Sequence, residues 1–239
     1  MNNIRKPLGS PAYGSIGHLP TSRLGPGDHR IPDGQASIAT TKIRDRHDQV
    51  FIEEKLDGSC CAVAKYQGRI LALIRAGYEA TTSRFEMHHI FAHWVRERES
   101  QFQEWLQEGE RFCGEWLAVA HGTRYQINDP WDAFVVFDLI RQVGVEHRRV
   151  SVEERNHRLD NSQLRRPFLV KGPLSIGEAL TVVGPYGRHN AIDPIEGAVW
   201  RVERFKRFEF AAKYVRPDHT PGRYLSVMTY REELWNWRP

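Results

Sequence analysis

The sequence predicts an α+β fold built mainly from antiparallel sheets. Short apolar stretches with strand texture outnumber the helical segments, and glycine-containing turns separate several of them. The helical segments are inserted between groups of strands and do not alternate with them, which argues against a doubly wound parallel sheet. Apolar residues make up 40% of the 239 residues, enough for a sizeable core, and no linker divides the chain. A single domain over residues 1–239 is therefore expected.

The first part of the chain, residues 1–48, is predicted to be an irregular lead. Its residues 7–37 are rich in Gly, Pro, Ser and Asp, which favour turns and loops. No apolar stretch follows the basic residues near the N-terminus, so no secretory signal is predicted. No apolar run in the chain approaches the roughly 20 residues that a membrane span needs.

From Val50 onward the sequence predicts strands, with one long helix among them. The first three strands are predicted at 50–55, 60–66 and 69–75. Apolar residues at helical spacing then predict a helix over residues 83–106. Further strands are predicted at 111–119, 133–140, 197–204 and 208–216. Ser175 is predicted to cap a short helix that runs to Val183, and a helical turn is predicted over 232–237.

Charge and cysteine content bear on nucleic acid binding and on the redox compartment of the protein. The formal charge of +4 and the pI near 9.0 permit nucleic acid binding without proving it. The three cysteines have no metal-type spacing, and two of them are adjacent, which disfavours a disulfide between those two. Unpaired thiols are typical of a reducing compartment, so a cytoplasmic location is expected.

The segment from Glu54 to Gly58 is the first candidate for chemistry. In it, Lys55 ends an apolar strand and a tight Asp-Gly turn follows. The plainer interpretation is a hairpin turn with a surface lysine. A lysine has an ordinary pKa of about 10.4, and it needs nearby positive charge or desolvation to become a nucleophile near neutral pH. A nucleophilic Lys55 therefore requires cations, and carboxylates for a metal, elsewhere in the sequence.

Four later segments with strand texture supply such residues. They are 112–116 with Glu115, 134–138 with Phe137, 195–201 with Glu196 and 210–216 with Lys213. Taken singly, each residue is more typical of a solvated acid, a core aromatic or a surface lysine.

Taken together, in order and spacing, these segments resemble the motifs of the covalent nucleotidyltransferase superfamily, which comprises DNA ligases, RNA ligases and mRNA capping enzymes. The stretch from Lys55 to Gly58 resembles the lysine motif, and Arg75 resembles the arginine position that follows it. The later motifs are matched in turn by Glu115, Phe137, Glu196-Gly197 and Lys213. The resemblance covers residues 8–225 and implies the nucleotidyltransferase (ligase adenylation) fold, with flanking helices around antiparallel sheets.

The resemblance also implies a role for each residue. Lys55 is the implied nucleophile that attacks the α-phosphate of ATP, and Lys213 is the implied cation beside that phosphate, which would also lower the pKa of Lys55. Glu196 is the implied acid that works with a divalent metal, Mg²⁺ or Mn²⁺. Phe137 is implied to stack on the base, and Glu115 and Arg75 are implied to contact the ribose and the phosphates. Asp57 and Gly58 are implied to shape the turn beside the nucleotide. Glu54 is implied to help recognise the base.

Finer features resemble the RNA ligase branch of the superfamily. They are His18-Leu19-Pro20, Leu24-Gly25-Pro26-Gly27-Asp28, Gly114-Glu115-Trp116 followed by His121 and Tyr125, and Ala212-Lys213-Tyr214-Val215-Arg216-Pro217. The expected activity is that of an ATP-dependent RNA ligase acting on RNA with 5′-phosphate and 3′-OH ends. An end-healing kinase or phosphatase is a candidate partner, and no membrane is expected to take part.

Two departures from the superfamily pattern leave alternatives open. The superfamily often has a second lysine where this sequence has Ala211, and neither Lys206 nor Arg207 lies at the right spacing to replace it. Only 26 residues follow Lys213, so no OB-fold domain is expected, which argues against a typical DNA ligase or capping enzyme. The alternatives are another covalent nucleotidyltransferase, such as a DNA ligase, a capping-type enzyme or an RNA-end adenylylating enzyme, and a non-catalytic RNA-end-binding module.

Overall fold

A computed structural model of the chain describes residues 5–229 and 232–239. Two five-stranded sheets carry the fold, and helices pack against both, so the predicted α+β class is confirmed. The first sheet has the spatial order β1 (Gly17–His18), β10 (Arg207–Val215), β9 (Gly197–Arg204), β2 (Asp48–Lys55) and β8 (Leu169–Gly172). The second sheet has the order β4 (Arg69–Ile74), β3 (Ser59–Tyr66), β5 (Glu110–Trp116), β6 (Phe134–Val143) and β7 (Glu146–Arg149).

The helices are short. They are α1 (Asp33–Thr40), α2 (Glu86–Arg96), α3 (Glu99–Trp105), α4 (Val152–Asp160), α5 (Ile176–Val183) and α6 (Ser226–Thr229). Helices α1 to α5 lie between strands, and α6 follows the last strand. Helix α5 begins where the sequence predicts, because the Ser175 hydroxyl accepts from the Glu178 N–H while the Glu178 carboxylate accepts from Ser175. None of the helices in the described residues is long and apolar enough to cross a membrane.

Each sheet buries one face in a large core, and the second sheet also buries apolar residues of its other face in a smaller cluster with Ala12. In the first sheet the apolar face packs against α1 and α5, and its largest buried side chain is Trp200. In the second sheet an aromatic core joins α2 to the strands, because the rings of Phe91 and Trp94 each lie within 5.8 Å of those of Trp116 and Phe134. Helix α3 joins the same core through Phe102, whose ring lies 5.8 Å from that of Trp94. The opposite face of the first sheet is polar, and it is this face that forms the site described below.

The structure corrects three sequence predictions. The helix predicted over 83–106 is two helices, because Arg98 leaves helical geometry (φ −117°, ψ 19°) and donates through its guanidinium to the Trp94 carbonyl. The lead is not wholly irregular: α1 forms within it because Ala36 and Ala39 pack on the first sheet. The stretch 232–237 is irregular rather than helical, and its Trp235 forms a bridge with Val119.

Candidate active site

One face of the first sheet is the floor of a cavity of about 320 Å³. Side chains alternate between the two faces of a strand, and the register pairs Val199 on β9 with both Glu53 on β2 and Lys213 on β10. These residues therefore share the face opposite to the one that α1 and α5 cover. The second sheet provides the facing wall. The lining includes all nine candidate residues, Glu54, Lys55, Asp57, Gly58, Arg75, Glu115, Phe137, Glu196 and Lys213.

Lys55 lies at the end of β2, opposite the start of β9. Its register partner is Gly197, so the preceding residue, Glu196, comes within reach, and the Glu196 Oε2 lies 2.6 Å from the Lys55 Nζ. Burial alone lowers the pKa of Lys55, but the carboxylates of Glu196, Glu115 and Asp57 outweigh burial and raise that pKa above its ordinary value. In the protein alone the carboxylates therefore decide the direction of the pKa of Lys55, and a lowering of that pKa by Lys213 stays a prediction.

Gly58 lets the turn after Lys55 lie against β5. A Cβ at this position would lie 2.4 Å from the carbonyl oxygen of Trp116, so the close approach requires glycine. The Gly58 N–H donates to Oε1 of Glu115 at 3.0 Å, which fixes that carboxylate beside the turn. Burial, together with the negative charge of nearby Glu196, raises the pKa of Glu115 to about 7, although Lys55 acts in the opposite direction.

Asp57 is anchored from two directions. Its backbone N–H donates to the hydroxyl of Tyr125 at 3.0 Å, and its Oδ2 accepts from the backbone N–H of Gly122 at 2.7 Å. Tyr125 is buried and packs beside Leu56. The loop that contains Gly122 and Tyr125 therefore holds the turn in place, and the turn in turn fixes the backbone of Lys55.

Lys213 reaches the same cavity from β10. Its side chain is 18% exposed, and its Nζ lies 3.4 Å from Oδ1 of Asp28. That distance exceeds the usual range for an N–H···O hydrogen bond, so the ammonium group keeps donor capacity for a phosphate oxygen. Burial and then the nearby charge of Lys55 lower the pKa of Lys213. His18 lies beside Asp28, with its Nε2 3.0 Å from Asp28 Oδ2.

No second lysine stands beside Lys213 on the described cavity floor. Ala211 faces the cavity next to Arg201. The Arg201 guanidinium is committed to Asp138 at 2.9 Å and to Glu203 at 2.8 Å. Lys206 lies in the turn between β9 and β10, where it is 69% exposed. The charge that a second lysine would bring is therefore missing from this position.

Phe137 owes its position to an irregularity in the second sheet. Cys113 on β5 faces Asp138 on β6, whereas the next residue, Gly114, faces Val136, so Phe137 has no direct partner on β5. A bulge of this kind redirects side chains, and both Phe137 and Asp138 line the cavity. The Phe137 ring meets the Tyr13 ring edge-on, with their centroids 4.9 Å apart. An aromatic wall is thus available for stacking on a base.

Arg75 lies at the rim, directly after β4, and its side chain is exposed. Its Nη2 donates to the hydroxyl of Ser15 at 3.0 Å, and its carbonyl accepts from the Ala12 N–H at 3.0 Å. The N-terminal lead is therefore part of the site. Sequence reasoning missed Tyr13, which contributes to the wall with the Arg149 guanidinium 4.5 Å from its ring centroid. No periodic pattern in the glycine-rich and proline-rich lead marks this tyrosine.

Glu54 borders the cavity but turns its carboxylate away from Lys55. Adjacent residues on a strand point to opposite faces, and Glu54 Oε2 accepts from the backbone N–H of Arg188 at 2.8 Å. Glu54 is 2% exposed, and its Oε1 has no hydrogen-bond partner among the described residues. Burial raises the pKa of Glu54 to about 7. Base recognition by this carboxylate remains a prediction.

A stability measurement checks the environment of Glu54. The raised pKa means that the folded protein keeps a proton that the unfolded chain has released, so the free energy of unfolding falls as pH rises from about 4.5 through about 7. Glu54→Gln cannot ionise, and it is expected to stabilise the protein by roughly 2 kcal/mol at pH 8 and by little at pH 5. Urea denaturation of AMP-free protein measures this, with the exposed Glu104→Gln as the control. Parallel pH profiles for wild type and Glu54→Gln would contradict it.

The site also contains a set of oxygen ligands for a metal. Asp57 and Glu196 each offer a carboxylate oxygen, and these atoms lie within 4.8 Å of each other. Hard divalent cations prefer such ligands, and Mg²⁺ and Mn²⁺ commonly keep several waters as well. The residues present therefore fit a divalent cation beside Lys55.

Comparison with known proteins places this site in a family context. Residues 48–215 match the family model described as RNA ligase. The fold is similar to that of an archaeal ATP-dependent RNA ligase, at 19% identity and a TM-score of 0.53 over 85% of this chain and 48% of that one. No curated protein matches the sequence.

Two structures from Naegleria gruberi are similar as well. An RNA ligase with PPi is 16% identical, with a TM-score of 0.55 over 92% of this chain and 62% of that one. A mutant RNA ligase with ATP and Mn is 15% identical, with a TM-score of 0.50 over 72% of this chain and 51% of that one. At these identities the similarity concerns the fold alone, and this chain covers less than two thirds of each of the three solved proteins.

Proposed function

The chain belongs to the RNA ligase family, and from that membership we propose that it is an ATP-dependent RNA ligase that carries AMP on Lys55. The observation that best supports this activity is that the candidate lysines, arginine and acids and an aromatic wall converge on one cavity of about 320 Å³. That volume lies at the lower end of the range for small-molecule sites. The two related solved structures with ATP and Mn or with PPi point to the same kind of ligand.

The first chemical step joins Lys55 to AMP. The Nζ of Lys55, once deprotonated, attacks the α-phosphorus of ATP, a phosphorus–nitrogen bond forms, and the bond to pyrophosphate breaks. Lys213 donates to a non-bridging oxygen of the α-phosphate and offsets the charge that develops there. Glu196 holds the Lys55 ammonium before the reaction, because the two groups are 2.6 Å apart. The proton that Lys55 loses passes to water.

Other cavity residues bind the nucleotide and a divalent cation. Phe137 stacks on the adenine, Glu115 and Arg75 contact the ribose and phosphates, Asp57 and Gly58 shape the turn, and Glu54 contributes to base recognition. Asp57 and Glu196 would hold the divalent cation, Mg²⁺ or Mn²⁺, which would supply positive charge to the phosphates and weaken the hold of these carboxylates on the Lys55 proton.

Two further steps complete sealing. AMP passes from Lys55 to the 5′-phosphate of an RNA end, forming a pyrophosphate linkage, and a neighbouring 3′-OH then attacks that 5′-phosphate and releases AMP.

We propose that residues 1–239 act as one adenylation domain, since the lead contributes β1 to the first sheet and Tyr13 to the cavity. A cytoplasmic location is consistent with three unpaired cysteines, and an end-healing kinase or phosphatase remains a candidate partner.

The choice of nucleic acid can be tested directly. A nick whose ends are a 3′-OH ribonucleotide and a 5′-phosphate is expected to be sealed faster than the matched all-DNA nick, because the 2′-OH is the group that distinguishes RNA from DNA. Single-turnover sealing by preformed enzyme-AMP measures this at one fixed salt concentration, since backbone contacts make affinity salt-dependent. Equal rates on the two nicks would contradict the RNA assignment while leaving enzyme-AMP formation intact.

A further inference from the structure

A histidine from the segment after β10 reaches the carboxylates beside Lys55. Ligand atoms of Asp57, Glu196 and His219 lie within 4.8 Å of one another. Asp57 comes from the turn after β2, and Glu196 directly precedes β9. His219 lies outside residues 48–215, the part of the chain that matches the family model.

His219 has a buried nitrogen without a partner. The residue is 7% exposed, and its Nε2 makes no hydrogen bond within the described part of the chain. The nearest acceptor is Oδ2 of Asp57 at 3.4 Å, beyond the usual N–H···O range. A buried polar atom left unpaired is destabilising, because it has lost its hydrogen bonds to water. A cation bound between the Nε2 of His219 and the carboxylates of Asp57 and Glu196 would give this nitrogen a partner.

The surroundings hold the imidazole in this position. A Cβ on Gly122 would lie 2.6 Å and 2.7 Å from ring atoms of His219, so the ring packs directly on the glycine backbone. The same Gly122 donates its N–H to Asp57. The chain on the other side is fixed as well, because the His219 N–H donates to the Arg216 carbonyl and the Arg216 N–H donates to the Glu196 carbonyl. The donors are therefore preorganised by backbone contacts.

We propose that His219 supplies a nitrogen ligand, through Nε2, to a divalent cation held by Asp57 and Glu196, and that this makes the site favour Mn²⁺ over Mg²⁺. Carboxylate and water oxygens suit Mg²⁺, whereas imidazole suits transition metals. A ring that binds the cation through the Nε2 lone pair is neutral and keeps its proton on Nδ1. The inference rests on the proposed function only for the role of Glu196 as a metal-binding acid.

The experiment reads metal binding in AMP-free protein without nucleotide. Mn²⁺ affinity is measured from the loss of the free-ion electron paramagnetic resonance signal, and Mg²⁺ affinity from its competition with Mn²⁺. Pulsed spectra of bound Mn²⁺ report a directly coordinated nitrogen, and labelling histidine with ¹⁵N changes that signal if the nitrogen belongs to a histidine. His219→Asn is compared with wild type, and the exposed His157→Asn on α4 is the matched control.

The expected result is a histidine nitrogen signal in wild type and His157→Asn that is absent from His219→Asn. Mn²⁺ affinity should fall about tenfold or more in His219→Asn, by analogy with the loss of other groups around metals, while Mg²⁺ affinity changes little. No histidine signal in wild type, a signal that persists in His219→Asn, or an equal loss of Mn²⁺ and Mg²⁺ affinity would overturn the proposal. The wild-type labelling result decides the matter even if His219→Asn does not fold. Because no nucleotide is present, failure here leaves enzyme-AMP formation on Lys55 untouched.

Discussion

Lys55→Arg protein is expected to carry no AMP after incubation with ATP and Mg²⁺ or Mn²⁺. The guanidinium group keeps a positive charge opposite Glu196, so an ion pair with Glu196 is preserved. It stays protonated at any pH in the working range and has no free electron pair for attack on phosphorus. Removal of the nucleophile should therefore abolish the step, whereas nucleotide binding persists.

Two measurements separate the loss of chemistry from the loss of binding. Labelled ATP followed by denaturation counts the covalent adduct, and equilibrium binding of ATP measures affinity in the same preparation. Lys206→Arg is the matched control, because Lys206 is 69% exposed in the turn between β9 and β10. Normal adduct yield on Lys55→Arg would show that another residue carries the AMP.

Lys213→Ala is expected to slow enzyme-AMP formation by a factor of about 10²–10³, which corresponds to about 3–4 kcal/mol. Lys213 is the only lysine besides Lys55 in the described cavity lining, and Ala211 leaves it without a second lysine two residues earlier on the same strand. Its contact with Asp28 is long at 3.4 Å, so little stability depends on that pair. The loss should therefore appear in the rate of the chemical step.

Single-turnover adenylylation of AMP-free protein measures this rate. Lys206→Ala should react at the wild-type rate, and Ala211→Lys should be tolerated, because Ala211 faces the cavity. A matching melting temperature for Lys213→Ala would rule out general unfolding. If Lys213→Ala reacts as fast as wild type, Lys213 does not contact the α-phosphate and the assignment of the last motif is wrong.

The strands that carry the candidate residues were predictable because each is short, apolar and bounded by turn residues. The pairing of the strands was not predictable. The contact between Lys55 and Glu196 joins residues 141 positions apart, and it depends on the register that pairs Lys55 with Gly197. The raised pKa of Lys55 was also not predictable. It arises from three carboxylates gathered by two sheets, and their proximity is not visible in the sequence.

The least predictable parts of the site come from irregular segments. Tyr13 lies in the lead and His219 follows the last strand, and neither belongs to a periodic pattern. Phe137 was assigned from the motif order, but its exposure to the cavity depends on a bulge opposite Cys113 and Gly114. Periodicity identifies residues that face a core, whereas a site that joins two sheets and two loops is defined by tertiary packing.

The central claim, covalent AMP on Lys55, has a direct test. Wild-type protein freed of AMP is incubated with ATP and Mg²⁺ or Mn²⁺, its intact mass is measured, and its peptides are mapped. The expected result is a single added AMP on the peptide that contains Lys55, which a chase with 5′-phosphorylated RNA bearing a 3′-OH then removes. An adduct on a different lysine, or no adduct with either metal across the pH range in which the protein is folded, would contradict the account.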